Sequence, residues 1–373
     1  MKLSITIALI TLFSFSLFAQ TETVRYSFFV AGHTYGKPGV NNAGFHPPFK
    51  QKFNYLQRRP EIKFGVLTGD IVSDPSDRDW DEIDTDIETL GLPVYFAVGN
   101  HDMKDRPLFE SRYGSTYYHF TWENDLFIVL DPNIDGWNIS GEQLKFLQNT
   151  VIDHAPVTNL IFVFFHQILW REPDNPFHYI SWNSSEGRSA TINFWTDVEP
   201  VFHHLSNEVF MFAGDLGASW STDVAYDHYD NITLIASGMG DEDGENFIVV
   251  NVGPNQTVNY DLICLSDTSI DCLGSLTDYQ VVNAIVGTSF PREQNIYHSQ
   301  LYPNPTSTSF TFSLDKPGIT TIQIFNLQGE LIQEERCYDK EEHTINVSHV
   351  TKGIYLVRIV NDQSESTFQL IVN

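Results

Sequence analysis

Four short apolar runs in this chain each end directly on residues able to hold a metal or a phosphate, and this placement constrains the fold more than any other feature. Phe64 to Thr68 runs into Gly69-Asp70, and Val94 to Val98 into Gly99-Asn100-His101-Asp102. Leu160 to Phe165 meets His166, and Val209 to Ala213 meets Gly214-Asp215. Together with Tyr26 to Ala31 and Leu126 to Leu130, these runs are continuously apolar rather than alternating, as in strands covered on both faces. Between them, Trp80 to Leu90 and Gly141 to Val151 have helical spacing. Ser140 and Gln143 are placed to form a capping box at the second of these helices. Strands alternating with helices predict a layered α/β domain. In such domains the carboxyl ends of the strands border the ligand crevice, so the four polar motifs converge there. Each glycine is expected to let the chain turn sharply and aim the next side chain inward.

Taken singly, a Gly-Asp pair is usually a turn, and a lone histidine after a strand is usually a satisfied core residue. The order of the set carries more. At these residues the chain resembles the calcineurin-like metallophosphoesterases, which present Asp-x-His, Gly-Asp, Gly-Asn-His-Asp/Glu, a lone His and Gly-His-x-His in that order. The resemblance spans about Arg25 to Val252, with Tyr118 to Asp131, Gly141 to Leu147 and Ala236 to Gly240 similar to the intervening segments. It implies a four-layer α/β/β/α sandwich. It also implies a pair of metals that polarise the phosphoryl group and generate a hydroxide nucleophile. Carried over, Asp70 bridges the metals, and Asn100 and His166 hold the second. His101 protonates the leaving oxygen or stabilises the transition state, Asp102 orients His101, and His33 survives from the first motif.

Two positions depart from that pattern. The first motif reads Ala31-Gly32-His33, without its carboxylate, and the last reads Gly214-Asp215-Leu216-Gly217. Both losses fall on the first metal, whereas Asp215 replaces a histidine of the second. Three arrangements stay open: a mononuclear site, a first metal kept by new ligands such as Asp241, Asp243 or Tyr35, and a catalytically silent module binding phosphate or a polymer. Retained motifs and the relocated carboxylate favour a working phosphoesterase that hydrolyses phosphate mono- or diesters. A carboxylate in place of imidazole favours Mn²⁺ or Mg²⁺ over Zn²⁺ or Fe, with one or two ions bound. Trp170 to Trp195, which includes His178, is read either as a loop over the site that selects substrate or as a surface insertion.

The ends of the chain speak to location. Lys2 followed by the apolar run Ile5 to Phe18 and then Ala19 reads as a signal peptide over residues 1–19, too short and wrongly flanked for a membrane span. No transmembrane segment is expected in the mature chain. The phosphoesterase domain is placed at 20–254, and 255–300, rich in Asp, Ser, Thr and Asn, is a linker or an extension of it. From 301 to 373 the pattern changes to short strands with turn residues, a small all-β sandwich: Ser309 to Leu314, Thr320 to Phe325, His343 to Val347, Gly353 to Val360 and Ser366 to Val372. Turns are expected at Leu327-Gln328-Gly329-Glu330 and Lys352-Gly353. Leu301-Tyr302-Pro303-Asn304-Pro305, Ile324 to Gly329 and Gly353 to Val357 closely resemble the type IX secretion C-terminal sorting domain. That resemblance implies export by this machinery to the medium or the cell surface. Cys264 and Cys272 either close a small loop or stay unpaired, with Cys337 left over. A balance of 21 Lys+Arg against 48 Asp+Glu, net −27, argues against a nucleic-acid groove.

Overall fold

The computed structural model of the chain describes residues 24–40, 42–203, 205–240, 244–265, 270–280, 301–313, 320–326, 330–337, 342–361 and 364–373. The signal-peptide reading, Asp241, Asp243 and the turn at 327–329 lie outside them.

Two mixed sheets carry the crevice. The first contains β1 (Tyr26–Ala31), β2 (Ile62–Thr68) and β3 (Val94–Ala97), all parallel, extended by the antiparallel β10 (Asn246–Val252) and β11 (Val258–Cys264) in the order β11-β10-β1-β2-β3. The second contains β4 (Tyr118–Trp122), β5 (Asp125–Val129), β6 (Leu160–Phe164), β7 (Glu208–Ala213), β8 (Val224–Tyr229) and β9 (Ile232–Ser237). Its order is β4-β5-β6-β7-β9-β8, with β5, β6, β7 and β9 parallel and the two edge strands antiparallel. All six strands read from the sequence are present.

Phenylalanine joins the two sheets. Phe28 and Phe64 of the first pack in one buried cluster with Phe127, Phe162, Phe164 and Phe212 of the second. The Phe28 ring lies 5.3 Å from Phe64 and 5.1 Å, edge-on, from Phe162. Each such ring stabilises the fold by about 1.5–3 kcal/mol through area removed from water. Helices α1 (Pro47–Gln51), α2 (Phe53–Gln57), α3 (Asp77–Leu90) and α4 (Arg106–Tyr113) pack against the first sheet through a second cluster that includes Phe49, Leu56, Trp80, Phe109 and Phe29. Helices α5 (Gly141–His154) and α6 (Glu199–Phe202) pack against the second through Leu147, Val151, Phe202, Ile161 and Val163.

The expected capping box at α5 is not formed. Ser140 sits at the N-cap, but its hydroxyl donates to Asp135 Oδ2 at 2.5 Å and makes no bond to the helix. Gln143 lies on the buried side of α5, so its amide turns inward. Its Oε1 accepts from Asp131 N at 2.6 Å and its Nε2 donates to Asp131 O at 3.0 Å. A capping box forms instead at Ser275, whose N–H donates to Asp278 Oδ2 at 3.2 Å, while at α3 Ser76 caps the helix by accepting from Asp79 N.

At the free side of β3, the Tyr118 hydroxyl donates to Phe96 O and accepts from Phe96 N, both at 3.0 Å. Cys264, at the end of β11, forms a disulfide with Cys272. The C-terminal region pairs β12 (Ser309–Ser313) with β15 (Glu342–Asn346), and β14 (Leu331–Cys337), β13 (Thr320–Asn326), β16 (Gly353–Asn361) and β17 (Ser364–Val372) in that order. The two sheets share an apolar core that includes Phe310, Phe312, Ile324, Val357 and Leu370. Ile354 and Ile371 also join the cluster beneath α5, and Lys352 pairs with Asp153 on that helix. No helix among the described residues is long and apolar enough to cross a membrane.

Candidate metal centre

The parallel strands of both sheets deliver their carboxyl ends to one place. His33 N donates to Gly69 O at 2.9 Å, and Gly214 N and Asp215 N donate to His166 O at 2.9 and 3.1 Å. The loops after β1 and β2 are thus stitched together, as are those after β6 and β7. His33 (φ 55°) and Asp70 (φ 51°) both occupy the left-handed region. That conformation is costly for residues bearing a Cβ and concentrates at functional sites.

Three side chains converge. His166 Nε2 lies 3.3 Å from Asp70 Oδ2 and 3.6 Å from Asp215 Oδ1, and one ligand atom from each residue falls within 4.8 Å of the others. All three are at most 1% exposed. The His166 ring donates from Nδ1 to Thr68 O at 2.8 Å, which turns Nε2 toward the carboxylates. His166 Nε2 and both carboxylate oxygens of Asp215 are buried without a hydrogen-bond partner. His33 is oriented the same way, Nδ1 to Met239 O at 2.7 Å, and its Nε2 stands 3.8 Å from Asp70 Oδ2.

The electrostatics are unbalanced as they stand. Burial alone would discharge His166, but Asp70 and then Asp215 outweigh it and push its pKa up to about 10. Burial would also raise Asp70, yet His166 holds it well below the ordinary carboxylate range. Asp215 is pushed well above that range by burial, against the pull of His166. Buried carboxylates with unpartnered oxygens are stable only when a cation or proton neutralises them. Donors roughly 3–4 Å apart also match ligands sharing one ion at bond lengths of about 2.1 Å. The residues present therefore fit a divalent cation.

The other motif residues lie around this cluster. His101 donates its backbone N–H to Asp70 Oδ1 at 3.0 Å, and its ring donates from Nδ1 to Ser73 O at 2.6 Å. Asp102 makes no hydrogen bond to the His101 ring. Its Oδ1 accepts from Ile71 N and Val72 N at 2.8 and 3.0 Å, and its Oδ2 accepts from Gly99 N at 2.8 Å. It thus ties the loop after β2 to the loop after β3, and burial followed by the Asp70 charge pushes its pKa up to about 7 against those amides. Asn100 turns its amide toward Glu186 Oε2 at 3.3 Å. Glycine acts here in two ways. Gly69 has positive φ, as a sharp turn requires, but Gly99 and Gly214 do not. A Cβ at Gly99 would stand 2.2 Å from Asp70 Oδ1, so this glycine makes room for the carboxylate rather than turning the chain.

The altered positions have been closed over. Ala31 is buried in an apolar cluster with Met239. Gly217 has φ 101°, and a Cβ there would lie 2.5 Å from Met239 N, so the backbone of the loop after β9 fills the space a side chain would need. Tyr35 sits between His33 and His101, with ring centroids 4.3 and 5.0 Å away. Burial, then Asp70 and Asp215, raise its hydroxyl pKa and keep it protonated at neutral pH.

A family model described as calcineurin-like phosphoesterase matches residues 33–238, more than half of the chain. The chain belongs to that family. A second model, described as secretion system C-terminal sorting domain, matches residues 300–373, so this phosphoesterase-family protein carries a type IX sorting tail that directs secretion or surface attachment. The ulvan lyase NLR42 of Nonlabens ulvanivorans is 37% identical over 81 residues, which cover 21% of this chain and 15% of that protein. Calcineurin-like phosphoesterases use divalent metals and are generally hydrolases.

The structure also brings in residues that the sequence reading passed over. Asn183 donates its N–H to Asp215 O at 2.9 Å and its Nδ2 to Leu216 O at 2.9 Å, so the segment after β6 braces the loop that carries Asp215. No motif marks Asn183 or Glu186. Their signal was only their place in the segment Trp170 to Trp195.

Proposed function

We propose that this protein is a secreted metal-dependent phosphoesterase that hydrolyses phosphate mono- or diesters around a mononuclear centre of Asp70, His166 and Asp215. The observation that carries the reading is the convergence of three buried donors from β2, β6 and β7, with His166 Nε2 and both Asp215 oxygens unpartnered. A divalent cation held there, with Mn²⁺ or Mg²⁺ favoured by the two carboxylates, supplies Lewis acidity and activates water. Everything else falls to the chain. His101, fixed by Ser73 O, presents its free Nε2 to the leaving oxygen. Asp102 holds the two loops that carry Asp70 and His101 in register. Asn100 completes the ligand set once its amide leaves Glu186, and His33 holds the far side of Asp70.

We read the phosphoesterase region as a four-layer α/β/β/α sandwich, supported by the three apolar clusters between and outside the sheets. The tail is read as an all-β sandwich. Residues 1–19 are assigned to a signal peptide, 20–254 to the catalytic domain, 255–300 to a linker or extension and 301–373 to the tail. The pairing of β11 with β10 supports the extension. The sorting tail supports export through the type IX machinery. The 81-residue match to an ulvan lyase covers too little of either chain to transfer lyase activity.

A second reading, a catalytically silent module that binds phosphate or a polymer, draws on Ala31 and Gly217. The two are separated by elemental analysis of the full chain after dialysis against Mn²⁺ or Zn²⁺, together with release of 4-nitrophenol from 4-nitrophenyl phosphate and its bis ester. One retained ion with hydrolysis supports the mononuclear enzyme. No retained ion and no hydrolysis hands the crevice to the silent module.

A further inference from the structure

Seven tryptophans occur in the chain, and six of them spend their rings on neighbours. Trp80 packs on Phe109, Trp122 on Phe64, Trp137 on Trp182, Trp170 on Phe165 and Trp195 on Phe177. Trp182 also carries the Arg171 guanidinium at 4.2 Å. Trp220 differs: it is 59% exposed, and no aromatic ring or guanidinium lies against it among the described residues.

Its position is fixed nonetheless. The indole N–H donates to Asn183 O at 3.0 Å. Asn183 donates in turn to Asp215 O and Leu216 O and accepts from Ala218 N. Thr222 N donates to Ser181 O, and Ser181 N to Thr222 Oγ1. These six bonds lace 181–183 to 215–222, and the one large side chain that this braced platform leaves in water is the Trp220 indole. From the indole nitrogen to Asp215 O the path crosses two hydrogen bonds and one residue, no more than about 10 Å. A rigid, unpaired indole face is therefore held beside the metal-ligand loop.

Resting on the phosphoesterase reading, we propose that Trp220 is the stacking platform for a flat ring in the alcohol portion of the phosphoester, so that the preferred substrates are nucleotide- or aryl-type esters. Three features point to a ring. The exposed indole offers a π face while its only polar atom is already used. The indole is braced to the loop that carries Asp215, which suits recognition of a group attached directly to the phosphate rather than a distant polymer segment. In a chain of net charge −27, stacking recruits the neutral half of an anionic substrate without needing a cation.

The test uses the full chain supplied with Mn²⁺, comparing wild type with Trp220→Ala and Trp220→Phe on adenosine 5′-monophosphate and glycerol phosphate. The expected result for Trp220→Ala is a rise of about tenfold in KM for the nucleotide, with the kcat/KM preference for nucleotide over glycerol phosphate falling by the same factor. Trp220→Phe recovers most of that preference. An unchanged preference in Trp220→Ala overturns the proposal. Should the wild type hydrolyse neither of these monoesters nor the bis(4-nitrophenyl) diester, the phosphoesterase reading fails, and calorimetric titration with adenosine 5′-monophosphate decides the stacking by itself. Weaker binding in Trp220→Ala sustains it; equal binding, or none to the wild type, ends it.

Discussion

The two sides of the crevice have met opposite fates. On one side, Asp70, His166 and Asp215 stand buried with unsatisfied ligand atoms pointing at a common centre. On the other, Ala31 has joined an apolar cluster and the space at Gly217 is taken by the backbone of Gly238 and Met239. The second side is closely packed, whereas the first keeps an electrostatic tension that only a cation or protons relieve. A site in general decay would be expected to fill with apolar contacts on both sides. This contrast is the physical ground for proposing one retained ion.

The contrast breaks first if the sides respond alike to ligand removal. His166→Ala is expected to abolish metal retention and lower hydrolysis on the order of 10³-fold, while His33→Ala lowers it by roughly tenfold or less. Elemental analysis and kcat on 4-nitrophenyl phosphate check both, and equal losses would remove the asymmetry. Restoring the missing carboxylate as Ala31→Asp sharpens the comparison. It buries a charge in an apolar cluster, so stability in urea should fall by about 3 kcal/mol without gain of a second ion. A second retained ion in that variant would show that the Ala31 side was never closed. Gly217→Ala should cost about 2 kcal/mol through its positive φ and the collision with Met239, again measured by denaturant unfolding. The smallest effect is expected from Asp102→Asn, about 1.5 kcal/mol, because one of the two oxygens that accept from three amides becomes a donor. If that variant lost activity with no change in stability, Asp102 would act on the chemistry rather than on the loops.

Much of this contrast was legible in the sequence. Ala31, Gly217 and the carboxylate at Asp215 stood out because the resemblance to the phosphoesterase motifs says which residue type each strand end should carry. The six apolar runs marked six of the parallel strands, but not β9, which is just as buried and parallel to β7. Less was visible where partners come from far along the chain. The bonds of Asp102 to Ile71, Val72 and Gly99 depend on the folded path of two loops, and spacing next to His101 suggested a different partner. Gln143 matched a capping box locally but lies on the buried side of α5, where Asp131 offered a better pairing. Strands β4 and β14 escaped because their exposed and half-buried residues leave no continuous apolar run. For β8, the sequence Val224 to Tyr229 mixes charged residues with apolar ones, and its hairpin turn at Asp230 was the available clue. Gly99 was misjudged in mechanism: it leaves room for Asp70 and does not turn the chain.

The Tyr118 hydroxyl on Phe96 bears on life outside the cell. A strand with an open side is a template on which another chain can add, and a secreted protein meets its own copies without intracellular chaperones. By occupying both the N–H and the C=O of Phe96, one phenol takes away the central pairing position of a four-residue edge. A single phenol oxygen thus fills at this edge the pairing position that other folds block with a lysine, a proline or a bulge.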